Sequence, residues 1–328
     1  MSITDPKKKV ERSRHFAAGY TMSNLLQNED AIDGVIDLFL SWLDRSAESK
    51  EAVHLDKYLT YTAFDVAGEV LFSKQFGFLR EGRDVGNAIA NSLMLNVYAS
   101  TMGFFRWIHV ILVGNPLVTS LNILPFGHLF DTTVRALDDR LNNRDRGKSD
   151  VVDHWLQDME KKPGKVSLRD LYAAAISAVG AASDTVSCAL QSFVYFMNRH
   201  PNAWERVRGE IEELQRGQDL CRDRVIKFAD AQRLPFLQAC IKEALRVFGP
   251  VCMTLPRLAP PGGLTIGDKH FPENTILSIN PWVMHYSREL WGPDAHEFNP
   301  DRWLKDGAGE LDRYFMPVSD LPSHLRHP

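Results

Sequence analysis

The stretch from Ser167 to Arg199 limits this chain more than any other. It reads as one long helix, and from Leu171 to Asn198 its only charged side chain is Asp184. At roughly 1.5 Å per residue such a helix crosses an entire domain. A helix apolar on all sides is expected to be buried. An Asp at its middle is then costly unless something pairs or uses it. Near that Asp run the small residues Gly180, Ala181, Ala182 and Ser183, with Thr185 directly after. A membrane-spanning role is disfavoured, because a mid-helix Asp costs about 2.5 to 3.5 kcal/mol on insertion scales. The segment reads as a core helix.

The rest of the composition fits a globular protein with a sizeable core: 328 residues, 44% hydrophobic and 24% charged. The formal net charge of -4 gives no reason to expect a nucleic-acid partner. The basic run Lys7-Lys8-Lys9 with Arg12 and Arg14 reads as a solvated helix face. The four cysteines, Cys188, Cys221, Cys240 and Cys252, have no metal-ligand spacing and read as buried free thiols in a reducing compartment. The first residues turn polar at once, so no signal peptide or anchor is read there.

Ahead of the long helix, the pattern predicts helices over Pro6 to Asn28, Asp30 to Arg45 and His54 to Ser73. The second has a stripe of Ile32, Val35, Ile36, Phe39, Leu40 and Leu43. The third has one of Leu55, Tyr58, Leu59, Thr62, Val66 and Val70. Val85 to Leu124 reads as two shorter apolar helices broken at Gly103, Gly114 and Pro116, and Asp131 to Asp158 as a helix pair interrupted near Gly147. Ser167 is placed to cap the long helix, and Pro201 to end it and open the next. A further helix is expected from Leu234 to Phe248. Beyond it, frequent Pro and Gly predict short strands, with Leu264-Thr265-Ile266 and Thr275 to Ile279 as candidates.

Three patterns carry chemistry. Asp184-Thr185 sets an acid beside an alcohol on a helix of small residues that a flat group could approach closely. Such a pair could relay protons or make only structural hydrogen bonds, and the Thr hydroxyl can bond back to the i−4 carbonyl. Glu243 and Arg246, at i and i+3, share a face of a largely apolar helix, which favours a buried pair needing further partners. Arg302, in Phe298-Asn299-Pro300-Asp301-Arg302-Trp303, could complete a Glu-Arg-Arg cluster.

With these residues in this order, the chain resembles the cytochromes P-450, the haem-thiolate monooxygenases, most closely the fungal microsomal type. Ala181 to Thr185 matches the family's A-G-x-[DE]-T run with Ala for Gly, Glu243 and Arg246 match E-x-x-R, and Pro300 to Trp303 match P-x-R-W. Leu255-Pro256-Arg257 looks like the strand whose Arg reaches a haem propionate. The resemblance implies a mainly α, P-450-like fold with a small β region in the C-terminal third, incomplete as a single domain over 1–328. Within it 1–255 would be mostly helical, 256–317 strand- and loop-rich, and 318–328 a divergent tail. It implies haem (heme) as cofactor, with Ala181, Ala182 and Arg257 beside it. Asp184 and Thr185 would be the catalytic pair assisting proton delivery to bound dioxygen, and Glu243, Arg246 and Arg302 would hold the scaffold. A small apolar substrate, such as a fungal secondary metabolite, and an NADPH-dependent reductase are the implied partners. Full-length relatives of this type sit at the endoplasmic reticulum membrane, whereas this chain, read without an anchor or signal peptide, is expected to be cytoplasmic or of unknown location.

The sequence departs from that family after Tyr314-Phe315-Met316-Pro317. There the expected F-x-x-G-x-R-x-C-x-G loop does not follow, and a tail with His324 and His327 does. No cysteine stands in by motif, so no metal ligand is assigned and this polypeptide is expected to be inactive, a truncated remnant or the product of a misread gene. A separate reading, an all-α prenyl-chain enzyme, is prompted by Asp138-Asp139 but finds no second acidic motif on a facing helix.

Overall fold

A computed structural model describes residues 6–102, 105–112, 127–143, 149–217, 225–254 and 256–317. Gly103, Gly114, Pro116, Gly147, Cys221, Leu255 and the tail 318–328 with His324 and His327 lie outside the described residues. The fold is mainly α, with small strands confined to the C-terminal third. The chain divides into two compact units, Met1–Ser187 and Cys188–Pro328, so the division falls inside the long helix.

The first unit runs through α1 (Pro6–Ala17), α2 (Met22–Leu26), α3 (Glu29–Ser49), α4 (Leu55–Phe72), α5 (Phe78–Glu81), α6 (Ala88–Met102), α7 (Arg106–Leu112), α8 (Gly127–Asn142), α9 (Val151–Lys161) and the beginning of α10 (Leu168–Arg199). The expected first helix is broken by a 3-10 turn at Ala18–Tyr20. The side chains of Val35, Phe64, Phe78, Leu137, Trp155 and Leu171 are buried together. Each such large apolar side chain contributes about 1.5 to 3 kcal/mol on removal from water.

The most enclosed helix of this unit is α4. Instead of the expected single stripe, Tyr61, Thr62, Ala63, Phe64 and Asp65 are all buried in succession. Asp65 can be buried because its carboxylate accepts the backbone N–H groups of Gly77 (2.7 Å), Phe78 (3.2 Å) and Leu79 (2.8 Å). Those are the donors at the start of α5, which have no partner within their own helix. Gly68 admits the returning chain: a Cβ there would lie 2.5 Å from the Lys74 carbonyl oxygen.

Helix α10 begins as its sequence predicts. Ser167 Oγ accepts the Asp170 N–H at 3.2 Å, and Asp170 Oδ2 accepts the Ser167 N–H at 3.1 Å, a reciprocal cap. Its burial differs from the expectation. Leu171, Ala175, Val179, Ser183 and Ser187 are buried, while Ser177, Ala181 and Val186 are exposed. A lack of charge does not enforce enclosure: the small Ser177 and Ala181 leave little apolar area in water, while Val186 and Tyr195 stand exposed as larger apolar side chains on the same helix. By length and composition α10 is the one described helix that could cross a membrane.

The second unit holds the end of α10, then α11 (Pro201–Gly217), α12 (Phe228–Ala231) and α13 (Pro235–Val247). Strands β1 (Arg257–Leu258), β2 (Leu264–Ile266), β3 (Lys269–Phe271) and β4 (Ile276–Leu277) follow. Antiparallel pairing joins β1 to β4 and β2 to β3, the latter through a turn with Gly267 at φ 62°. Two short helices, α14 (Pro281–His285) and α15 (Arg288–Trp291), and 3-10 turns at Pro300–Trp303 and Ala308–Arg313 complete it. Met197, Val207, Phe236, Cys240 and Phe298 form its core. Glu210 on α11 accepts the N–H groups of Phe236 (2.8 Å) and Leu237 (3.1 Å), setting a carboxylate at the positive end of α13.

Candidate functional site

The two groups of sequence-predicted residues fall in different units. In the first unit, Asp184 is half-buried on α10. Its Oδ2 accepts Ser92 Oγ at 2.5 Å and Asn96 Nδ2 at 2.7 Å, both from α6. The cost of the mid-helix acid is met by two neutral donors and by partial exposure. Neither donor is singled out by sequence reasoning. The i, i+4 spacing of Ser92 and Asn96, which sets both on one face of an uncharged helix, was the available signal.

Thr185 Oγ donates to the Ala181 carbonyl at 2.7 Å, the i−4 back-bond its position allows. That leaves the hydroxyl oxygen free to accept. Ala181 is exposed and Ala182 half-buried, and a Cβ added at Gly180 would meet nothing within 4 Å. This side of α10 is lined by small residues, Ser177, Gly180 and Ala181, with Asp184 and Thr185 next to them in sequence.

In the second unit the structure brings Glu243, Arg246 and Arg302 into one buried cluster. Glu243 and Arg246 are fully buried and Arg302 is 6% exposed. Arg246 Nε donates to Glu243 Oε2 and its Nη2 to Glu243 Oε1, both at 2.9 Å, a bidentate pair within α13. Its remaining N–H groups go to the carbonyls of His285 (2.6 Å), Ala295 (2.7 Å) and Glu297 (2.9 Å). Arg302 Nε reaches Glu243 Oε1 at 2.9 Å. Its other donors reach the Trp291 carbonyl (2.8 Å), the Asp294 carbonyl (3.0 Å) and Asp294 Oδ2 (3.0 Å).

Glu243 is completed by the Asn299 N–H at 3.0 Å and the Trp303 indole N–H at 2.9 Å. Two guanidinium groups thus face two carboxylates, Glu243 and Asp294. The hydrogen bond from Asn299 Nδ2, together with Arg302, holds the Asp294 carboxyl below the usual carboxylate range. Charge balance and saturated donors are the conditions under which buried ions are tolerated. Asp294, Trp303 and the loop carbonyls are the members that sequence reasoning did not assign.

Arg257, on β1, is exposed, and its Nη1 donates to the Pro256 carbonyl at 3.0 Å. Asp138 accepts the Tyr172 hydroxyl and Asp139 pairs with Lys74 at 2.6 Å, so both acids of the prenyl-enzyme reading make local contacts. Among the described residues no group of three or more His, Cys, Asp or Glu side chains is arranged to hold a metal ion.

Haem iron needs an axial donor, and a cysteine serves only as thiolate. Cys240 lies in the core of the second unit, where burial pushes its thiol up to about 12. Burial, with Cys252 adding to it, also pushes the Cys188 thiol up. Cys252 is exposed on the segment after α13. The open face of α10 leaves room for a flat apolar group, while burial at Cys240 and Cys188 disfavours the thiolate that an iron ligand requires.

Comparison with known proteins bears on the whole chain. The family model for Cytochrome P450 matches residues 1–320. Cytochrome P450 monooxygenase ACRTS1 of Alternaria alternata is 31% identical over 306 residues, which cover 90% of this chain and 80% of that protein. Cytochrome P450 monooxygenase hepC of Aspergillus oryzae is 32% identical over 342 residues, covering 97% of this chain and 65% of its own length. A pisatin demethylase of Fusarium vanettenii is 30% identical over 308 residues, with 92% of this chain and 58% of the relative covered. The chain thus spans only part of the relatives it matches. A match over 320 residues, with a buried Glu243–Arg246–Arg302 cluster where the motifs fall, shows that this chain belongs to the cytochrome P450 family.

Proposed function

We propose that this chain is part of a haem-dependent monooxygenase that oxidises an apolar small molecule, a fungal secondary metabolite, with dioxygen and electrons from an NADPH-dependent reductase. The observation that carries this reading is the family match over residues 1–320. Relatives named as monooxygenases in fungi support it. In this reading Ala181 and Ala182 give the close-approach surface of α10, and Asp184 with Thr185 is the acid and alcohol pair available for proton handling. Arg257 is the cation offered to a carboxylate of the cofactor. Glu243, Arg246 and Arg302 hold the second unit in shape without touching substrate. The full-length protein is proposed to work at the endoplasmic reticulum membrane, to be tested by cell fractionation.

The described cysteines favour a further statement: the 328-residue polypeptide alone does not ligate haem through a thiolate. Expressed with haem supplied, reduced and exposed to carbon monoxide, it should give no thiolate-type Soret band. A chain in which Pro317 is followed by a Phe-x-x-Gly-x-Arg-x-Cys-x-Gly continuation should give one. A thiolate band from the 328-residue chain would overturn the statement about this polypeptide. Its absence from a folded, extended chain would overturn the monooxygenase reading itself.

A further inference from the structure

His285 closes α14 and is 1% exposed. Its carbonyl accepts Arg246 Nη1 at 2.6 Å, which ties its backbone to the buried cluster. Its ring turns the other way, with Nε2 lying 2.9 Å from the backbone nitrogen of Met316. A backbone N–H can only donate, so Nε2 must accept. An imidazole that accepts at Nε2 carries its proton on Nδ1. Nδ1 is buried and has no hydrogen-bond partner among the described residues.

The surroundings agree with a neutral ring. Burial, reinforced by the Arg246 charge, pushes the His285 pKa down to about 4. The ring stands edge-on to Trp291 (centroids 6.0 Å, 90°) and nearly parallel to Phe315 (5.8 Å, 23°). Phe315 meets Trp303 edge-on at 5.1 Å, and the Trp303 indole is bonded to Glu243. Gly249 lets the same segment pack closely: a Cβ there would lie 2.8 Å from the Leu245 carbonyl oxygen and 3.4 Å from that of Pro317.

We propose that His285 is a positioning residue: a neutral acceptor, protonated on Nδ1, that registers the Phe315–Met316 backbone against the Glu243–Arg246–Arg302 cluster and so fixes where the chain leaves Pro317. The ring does this through one hydrogen bond and one stacking contact, while the carbonyl of the same residue is held by the cluster. The role stands whether or not the chain binds haem.

The test is nitrogen NMR of the 328-residue chain carrying 15N-labelled histidine, combined with hydrogen exchange at the Met316 amide. At pH 7 the His285 ring should show a protonated Nδ1 and an unprotonated Nε2. A protonated Nε2, alone or with Nδ1, overturns the proposal. His285→Phe keeps an aromatic ring but removes the acceptor, and should speed exchange of the Met316 amide at least tenfold. His285→Gln, which retains an acceptor oxygen, should lie closer to the parent chain. Unchanged protection in His285→Phe overturns the proposal, and if that variant does not fold, the ring tautomer of the parent chain decides.

Discussion

Glu243 and Asp184 are both helical carboxylates with apolar side chains close in sequence, yet the molecule treats them differently. Glu243 is fully buried, accepts five hydrogen bonds and faces two guanidinium groups. Asp184 is half-buried and is held at one oxygen by two neutral donors. The first has no spare bonding capacity and can only hold structure. The second keeps access and an alcohol neighbour, the combination that proton handling requires. Two acids that look equally polar in sequence thus divide into a saturated, buried cluster and a partly open pair, as the proposed roles of scaffold and proton handling require.

Removing one member of the buried cluster should have the largest effect. Arg246→Ala leaves Glu243 without its bidentate partner and should cost about 3 to 5 kcal/mol. Urea unfolding followed by tryptophan fluorescence and circular dichroism checks it. A loss no greater than that of a surface substitution would break the contrast.

Acid should come next. The folded pKa of His285 is depressed to about 4 from an ordinary value of 6.5. The unfolded chain therefore takes up its proton first as pH falls. Its contribution is fully present above about pH 6.5 and is lost progressively toward pH 4, amounting to about 3 kcal/mol at roughly 1.4 kcal/mol per unit. His285→Gln should have a correspondingly flatter stability profile over that window, measured by denaturant unfolding at a series of pH values. Identical slopes would remove His285 from the account.

Trp303→Phe keeps an aromatic ring against Trp291 and Phe315 but deletes one donor to Glu243, with an expected loss of about 2 kcal/mol, as for a hydrogen bond to a charged group. Thermal unfolding measures it. Ser92→Ala should have the smallest effect, about 1 kcal/mol, because Asn96 and solvent still serve the Asp184 carboxylate. A loss as large as that of Arg246→Ala would show Asp184 to be scaffold after all.

Much of this contrast is legible in the sequence. The i, i+3 spacing of Glu243 and Arg246 on an apolar helix implies a buried pair in need of partners, and Arg302 is found as one. The loop carbonyls of Ala295 and Glu297 are not, because a backbone acceptor has no sequence signature, and the Trp303 indole is not, because its N–H reaches Glu243 only through the fold of a loop 60 residues away. His285 is likewise silent: a lone His at the end of a five-residue helix gains its role only from the distant Met316. The all-round burial expected of α10 fails for a different reason. Hydropathy reports what a side chain tolerates: Ser177 and Ala181 are small enough to stand in water at little cost, and the larger Val186 and Tyr195 are exposed on the same helix as well. The helix that is enclosed, α4, contains Asp65, and only the folded turn at Gly77 to Leu79 supplies the donors that make this tolerable.

The central claim is that the Glu243 cluster is scaffold while Asp184 is dispensable to the fold. Hydrogen exchange on Glu243→Ala and Asp184→Ala, measured side by side with the parent chain, tests it most directly. The account predicts that Glu243→Ala strips protection from α13 and the segment 291–303, and that Asp184→Ala leaves α10 within about tenfold of the parent, as a loss near 1 kcal/mol requires. Equal loss of protection in the two variants, or greater loss in Asp184→Ala, would contradict it.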